Sequence, residues 1–384
     1  MVATNGDLDT SSVESLRITY PHLYKADDGV LAFTVAGGTE VAVGGFADNN
    51  VFAVDLTDAN DPIRLNVAAA NGTATVVAPD GGTRSIVVYH AMRRAAPSQL
   101  VLNQPSTWNE TKNQADLVVI TNSAFLDAAK TLQKAREAQG IATAVVDVQN
   151  VYDEFSFGVH GPQAIRDFLQ RSQSWKRAPK YVVLLGDASS DPRNYMGHWF
   201  GWSSFDYVPT KLIPTQFIKT ASDDWFADFN DTGVPALAIG RIPVRTPAQA
   251  NAVIAKLVNA RTNNSTVTMV SDRPSGLNFE QGSNFVAANV TAPLTTSHIR
   301  IGQTANVPGA IGTAFSNGSL LINYMGHGST EVWSDVFSSY AASQLTNGSR
   351  LPFVVAMNCL NGMFHDFFQD ALGEALLRNG NGGA

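Results

Sequence analysis

Short runs of β-forming residues, separated by turn signals, characterise the first quarter of the chain. Three such runs lie at residues 31–35, 51–55 and 85–89. Asn-Gly at 71–72 and Asp-Gly-Gly at 80–82 stand between them and are typical of tight turns. The pattern therefore predicts a small all-β domain over residues 1–95.

After residue 115 the apolar runs become continuous and alternate with segments of helical period. Residues 117–121 and 181–185 are uninterrupted apolar runs, and residues 123–139 repeat apolar side chains at helical spacing. Strands without polar alternation are typical of a parallel sheet that helices cover on both faces. The fold class that we predict is α/β, an α/β/α sandwich with a mostly parallel sheet, preceded by the all-β domain and a linker at 96–114.

The α/β part divides into two series of elements, which predict a subdomain at 115–265 and a catalytic subdomain at 266–384. An irregular insertion rich in Asp and aromatic residues occupies 187–235 of the first. Further elements are predicted as strands at 236–240 and 267–270 and helices at 247–261 and 367–378. Because a helix that ends in Gly normally leads into a strand, the second subdomain is expected to be C-terminally incomplete.

Composition disfavours a nucleic-acid-binding protein and a membrane-spanning protein. The 384 residues carry a formal net charge of −7, which disfavours nucleic acid and anionic membranes as partners, because both attract concentrated Lys and Arg. No apolar run approaches the roughly 20 residues of a membrane helix. Residues 1–15 are polar and acidic, so any export signal is expected outside this chain.

The chain has one cysteine, Cys359, directly after the apolar run 353–357, and His327 follows another run at 320–324. A single cysteine excludes an internal disulfide and a multi-cysteine metal site. Neighbouring parallel strands would deliver both side chains to one sheet edge, where open α/β sheets bind ligands. A thiol beside an imidazole becomes a nucleophile, and the imidazolium then protonates a leaving amine. The pair therefore predicts acyl transfer.

Glycines flank His327, so the backbone there can approach a ligand closely. The amides of Gly328 and Cys359 are candidate oxyanion donors, which contribute about 3 to 4 kcal/mol in comparable sites. The alternative is that Cys359 is a small core side chain and that His327 caps a turn. Either residue alone favours this alternative, but both at strand ends favour the chemistry.

At these residues the chain resembles the gingipain-type cysteine peptidases, a family within the caspase-like peptidases. The matching motifs lie at residues 324–329, 344–353, 358–362 and 374–378, with weaker similarity at 185–187 and 239–241. The resemblance begins near residue 117 and continues to the end, which leaves out the β-rich start. It implies a caspase-like fold, with His327 as general acid and base and Cys359 as nucleophile.

The family also has a carboxylate that orients the histidine, and Asp272 matches its position, although Asp272 beside Arg273 and Pro274 could equally start a turn. Where the Arg-specific members have an aspartate at the base of their substrate pocket, this chain offers Gly282 or Ser283, with Glu280 nearby. The resemblance therefore does not imply arginine specificity. The family's aromatic pocket wall lies beyond residue 384, so the pocket is expected to be incomplete.

Together these features predict a cysteine endopeptidase that forms a thioester acyl-enzyme on protein or peptide substrates. A sortase-like transpeptidase of type IX secretion and a catalytically idle adhesion module are the alternatives. No cofactor is expected for the chemistry. The carboxylates of 187–235 and the resemblance admit structural calcium, although a solvated acidic loop explains them as well. The resemblance also implies an extracellular or cell-surface location in bacteria.

Overall fold

A computed structural model describes residues 20–96, 103, 105–201, 203–260 and 264–384. Residues 1–15, for which no export signal was predicted, lie outside the described residues, and so do residues 97–102 and 104 of the predicted linker. The chain divides into two compact units, residues 1–102 and 103–384, and this boundary falls within the segment predicted as the linker. Among the described helices, none combines the length and the apolar character needed to cross a bilayer.

The first unit is built from antiparallel strands. They are β1 (Val30–Ala36), β2 (Glu40–Val43), β3 (Val51–Asp55), β4 (Ile63–Leu65), β5 (Val67–Ala70), β6 (Thr73–Val77) and β7 (Thr83–His90). They form two sheets, with strand orders β1-β7-β3-β4 and β2-β6-β5. Alternate residues such as Ala53, Val76 and Val88 are buried in a shared apolar core, as the period of two predicts. The predicted all-β start is confirmed.

The second unit contains two parallel sheets with helices between their strands. Its first half consists of β8 (Leu117–Thr121), α1 (Leu126–Ala138), β9 (Thr143–Asp147), α2 (Val148–Ser156), α3 (Pro162–Ser172), β10 (Tyr181–Leu185), α4 (Tyr195–Phe200), β11 (Lys211–Pro214), β12 (Lys219–Ser222), β13 (Ala238–Ile242) and α5 (Pro247–Asn259). The parallel sheet has the order β13-β10-β8-β9. Every residue of β8 is buried, because one core lies on each face of this sheet.

The second half consists of β14 (Thr266–Ser271), α6 (Phe279–Ala287), β15 (Thr295–Arg300), α7 (Val307–Asn317), β16 (Leu321–Met325), β17 (Val332–Trp333), β18 (Phe337–Ser338), α8 (Ser339–Ser343), β19 (Phe353–Met357) and α9 (Leu372–Arg378). Its parallel sheet has the order β15-β14-β16-β19. Side chains of β14 and β16 pack with α7 and α9 in one apolar core. The predicted α/β class with mostly parallel strands is confirmed.

Strand β19 differs from the sequence prediction, which treated its apolar run as buried. It is the last strand of its sheet, and among the described residues no strand pairs with its outer edge. Phe353, Val355 and Met357, which alternate along the strand and share one face, are exposed. A largely apolar cavity of about 660 Å³ lies beside the strand, between α5 and α9. An apolar run does not distinguish an edge strand from a central one.

Two other predictions needed correction. The helix predicted at 367–378 begins only at Leu372, because the preceding residues pack as an irregular segment in which Phe367 stacks on Phe205. The insertion at 187–235 was predicted to be irregular, but it contains α4 and a hairpin of β11 and β12. Phe205 and Phe226 of this insertion are buried, whereas Trp199 and Phe217 are exposed.

A cluster of buried charges joins the carboxyl edge of the first sheet to α9. Asp187, fully buried, accepts hydrogen bonds from Arg245 at 2.6 Å and from Arg378 at 2.9 Å. Asp370 pairs with the same two arginines, at 3.1 and 3.0 Å, and Glu374 lies against Arg378. Three carboxyl groups thus share two guanidinium groups. Burial, together with the charge of Asp187, raises the pKa of Glu374 to about 8.

Candidate active site

The second parallel sheet brings the two predicted catalytic side chains to the same edge. β16 and β19 are neighbouring parallel strands, and their last paired residues are Met325 and Met357. His327 and Cys359 each lie two residues beyond this pair, and both are exposed. Because neighbouring strands lie roughly 4.8 Å apart, the two turns begin side by side. Exposure of Cys359 also argues against the alternative of a buried core cysteine.

Cys359 lies at the start of a tight turn. The amide of Asn361 donates a hydrogen bond of 2.9 Å to the carbonyl of Cys359, which closes a three-residue turn. Leu360 at its centre has a φ of 65°, a left-handed backbone conformation that is unfavourable for residues other than glycine. Strained backbone of this kind persists only where surrounding contacts hold it, and it is concentrated at functional sites.

Main-chain hydrogen bonds fix the turn that carries His327. Its carbonyl accepts from the hydroxyl of Tyr324 at 2.5 Å and from the amide of Ser334 at 2.9 Å. The ring of Tyr324 stacks on buried Trp333, with centroids 4.7 Å apart. The imidazole itself contacts Phe279 of α6 edge to face at 5.1 Å. The histidine is thus held from its backbone, while its ring remains exposed.

Asp272 contacts the histidine segment. It follows β14 and is buried, and its Oδ2 accepts a hydrogen bond of 3.1 Å from the main-chain amide of His327. Its Oδ1 accepts from the amide of the next residue, Arg273, at 2.7 Å. Asp272 therefore positions the backbone of His327. That it also orients the imidazole stays a prediction.

The predicted oxyanion donors lie on the two turns that follow β16 and β19. Within the described part of the chain, neither the Gly328 amide nor the Cys359 amide donates a hydrogen bond to another backbone group. A Cβ atom on Gly328 would lie 1.9 Å from the side-chain nitrogen of Asn358, so a larger residue there would displace that side chain. The two turns are therefore in close contact at this point.

The residues predicted to line the substrate pocket lie on α6, which packs against β14 and β16. Glu280 is paired with Arg300 at 2.7 Å and accepts a hydrogen bond from Gln303. Gly282 allows α6 to approach β16, because a Cβ atom there would lie 2.5 Å from the sulfur of Met325. Ser283 is buried with its hydroxyl unpartnered within the described residues. The carboxylate of Glu280 is thus paired with the guanidinium of Arg300. It is therefore already engaged and not free to pair with a basic side chain of a substrate.

The acidic residues of 187–235 are engaged in protein contacts. Asp191 accepts from the amides of Tyr195 and Met196, and Asp223 pairs with Arg241 at 2.7 Å. In the described ranges, no group of three or more His, Cys, Asp or Glu side chains is arranged to hold a metal ion. Structural calcium therefore stays a prediction that no observation supports here.

His365, the other histidine near the cysteine, is almost fully buried, and burial lowers its pKa. Neither of its ring nitrogens has a hydrogen-bond partner within the described residues. The imidazole of His365 is enclosed by protein, whereas that of His327 is exposed like the thiol of Cys359. The geometry therefore favours His327 over His365 as the partner of Cys359.

The sequence analysis did not identify Asn358 and Asn361 as site residues. The side chain of Asn358 donates to Oδ1 of Asn361 at 2.6 Å, and Asn361 donates in turn to carbonyls of the segment that follows His327. Both residues belong to the motif at 358–362, but only their contacts across the two turns reveal what they do. Such contacts cannot be read from a linear sequence.

Comparison with known proteins agrees with this geometry. The model of peptidase family C25 matches residues 110–384. Gingipain R2 of Porphyromonas gingivalis strain W83 is 35% identical over 287 residues, and gingipain R2 of another strain of the same species is 25% identical over 285 residues. Each match covers 70% of this chain and 35% of the relative, so the chain spans about a third of the length of these relatives.

Solved structures show the same fold. The Arg-specific cysteine proteinase gingipain R superposes with a TM-score of 0.56 at 23% identity, over 72% of this chain and 61% of that chain. A complex of the pro- and mature domains of a Porphyromonas gingivalis gingipain gives a TM-score of 0.56 at 22% identity, over 70% and 62% of the chains. Because the family model covers most of the second unit, including both strand ends of the site, the chain belongs to peptidase family C25.

Proposed function

We propose that this chain is the catalytic part of a cysteine endopeptidase in which Cys359 and His327 form the dyad. The observation that carries the proposal is the parallel pairing of β16 with β19, which starts both turns from paired residues. His327 takes the thiol proton as the sulfur attacks a peptide carbonyl, and a C–S bond forms while the carbonyl π electrons move to oxygen. Amides of Gly328 and Cys359 stabilise the oxyanion.

The remaining steps return the electrons from the oxyanion to the carbonyl and the proton from His327 to the departing amine. The tetrahedral intermediate collapses, the C–N bond breaks, and the imidazolium of His327 gives its proton to the departing amine. The product is a thioester on Cys359. Water, deprotonated by the imidazole, then attacks the thioester carbonyl, and the thiolate leaves and takes up a proton. The net reaction is hydrolysis of one peptide bond.

The substrates that we propose are proteins or peptides, and the proposed location is the bacterial cell surface or the exterior. Relatives that carry the name gingipain support the substrate class, since gingipain R is described as an Arg-specific cysteine proteinase. We do not extend its arginine preference to this chain, because Glu280 is already paired with Arg300. A net charge of −7 is consistent with a polypeptide rather than nucleic acid as substrate.

A peptide library with intact-mass analysis of the enzyme tests this proposal. We expect new peptide termini and a transient acyl adduct on Cys359, which is the one cysteine of the chain. A labelled amine added to the same reaction separates two outcomes, because a transpeptidase would transfer the acyl group to the amine and a hydrolase to water. A library that remains intact, with no adduct on the enzyme, would contradict both activities.

Gly328→Ala is expected to weaken the site without a general loss of stability. Its Cβ would lie 1.9 Å from the amide nitrogen of Asn358, so that side chain has to move. We expect the rate of peptide cleavage to fall about 10-fold or more, because a displacement of 1 Å in a catalytic constellation can cost about 100-fold. Gly362→Ala is the matched control, since a Cβ at that position meets nothing within 4 Å. Equal rates in the two variants would show that the contact is unimportant.

A further inference from the structure

Asn361 is a buried amide that contacts both turns of the site. It is only 6% exposed and lies two residues after Cys359. Its Nδ2 donates to the carbonyls of Ser329, Thr330 and Val332, the last two at 3.4 and 3.3 Å. These carbonyls belong to the segment that follows His327. One side chain on the cysteine turn is thus bonded to three main-chain groups of the histidine segment.

The remaining groups of Asn361 are also engaged. Its Oδ1 accepts from Asn358, its main-chain amide donates to the carbonyl of Cys359, and its carbonyl accepts from Gly373 at 3.0 Å. An uncharged amide suits this place, because it offers donors to the carbonyls and an acceptor to Asn358. A carboxylate would instead face three carbonyl oxygens.

The strand pairing alone does not fix the spacing between the two turns. The last ladder bond between β16 and β19 on this side is a long one, 3.4 Å from the amide of Gly326 to the carbonyl of Met357. Beyond it, the contact between Gly328 and Asn358 and the hydrogen bonds of Asn361 hold the turns together. These contacts also hold Leu360 in its unfavourable conformation.

We infer that Asn361 is a positioning residue that sets the distance and orientation between the Cys359 thiol and the His327 imidazole. The inference rests on the proposed peptidase function. Asn361 touches neither the substrate nor the reacting atoms in this scheme, and it acts through the two turns. Its removal should therefore lower kcat and leave KM nearly unchanged.

The test compares Asn361→Ala with Asn347→Ala in the full chain. Asn347 is equally suited as a buried control, at 2% exposure, because its side chain also donates to two carbonyls, those of Arg350 and Gly383, and accepts from an amide. None of these hydrogen bonds reaches the segments 327–334 or 358–361. The two variants should therefore lose similar stability and differ at the site.

For Asn361→Ala we expect kcat to fall about 10- to 100-fold, while Asn347→Ala changes it less than about 2-fold at a temperature where both are folded. The second readout is the rate at which iodoacetamide alkylates Cys359 near neutral pH. It should fall in Asn361→Ala and stay at the wild-type rate in the control. A purely structural residue would not lower this rate selectively.

Asn361→Asp provides a second variant of the same shape, and it should show the same loss, since it removes the donors. Equal values of kcat and equal alkylation of Cys359 in the Asn361 and Asn347 variants would overturn the inference. So would unfolding of both Asn361 variants under conditions where Asn347→Ala stays folded, because Asn361 would then be a folding residue. The wild-type protein separates this from failure of the proposed function. If the wild-type protein neither cleaves peptides nor reacts with iodoacetamide faster than a free thiol does, the proposed peptidase function itself is wrong.

Discussion

Replacing Cys359 by alanine is expected to abolish peptide cleavage, with a fall in kcat of at least about 10⁴-fold. The thiol is the nucleophile of the proposed reaction, and the chain has no second cysteine that could replace it. Its exposure means that substitution removes little packing, so the folded state should persist. Cleavage kinetics, together with a melting curve, measure both effects.

His327→Ala should produce a comparable loss and, in addition, change the reactivity of the thiol. Without the imidazole we expect iodoacetamide to alkylate Cys359 more slowly than in the wild-type protein, because the thiolate is the nucleophile and its base is gone. His198→Ala is the control, because His198 is also exposed and belongs to α4 rather than to the turns that follow β16 and β19. Identical alkylation rates in all three proteins would exclude His327 as the partner of the thiol.

The sequence places both candidate side chains after strands because that information is local. Apolar runs without polar alternation indicate parallel strands, and His327 and Cys359 stand directly after two of them. The adjacency of β16 and β19 is a property of the sheet order β15-β14-β16-β19, which chain order alone does not determine, since the consecutive strands β15 and β16 are not neighbours. The same local reasoning fails for β19, because a single strand does not reveal whether another strand covers its outer edge.

What the sequence could not predict depends on contacts between distant segments. The sequence leaves open whether Asp272 orients the imidazole or starts a turn, and its hydrogen bond to the main-chain amide of His327 appears only when the two segments are seen together. Nothing in the sequence around Asn361 marks it as a contact residue. Its hydrogen bonds to the carbonyls of Ser329 and Val332 are visible only in the folded chain. The same holds for Asp187, whose partner Arg378 lies 191 residues away.

Asp187→Asn should be the most destabilising substitution of a single side chain outside the apolar cores. It keeps the shape of the side chain but removes the negative charge between Arg245 and Arg378, both largely buried. Loss of one partner from a buried ion pair costs about 3 to 5 kcal/mol. For a unit of this size we expect the melting temperature to fall by roughly 10 °C. Asp231→Asn is the control, because Asp231 pairs with Arg166 but is itself exposed, and such pairs contribute about 1 kcal/mol or less.

The pH dependence of this loss distinguishes the charge cluster from a simple packing defect. In the wild-type protein the pKa of Glu374 is raised to about 8, so folding retains a proton that the unfolded chain releases above its ordinary value near 4.5. The contribution of Glu374 to wild-type stability therefore falls as pH rises from about 5 to 8. Removing the charge of Asp187 lets Glu374 ionise and neutralise an arginine, so the variant should lose less stability over that range. The difference in unfolding free energy between the two proteins is thus expected to be larger at pH 5 than at pH 8. A difference that does not vary with pH would indicate that Glu374 does not share the arginines with Asp187.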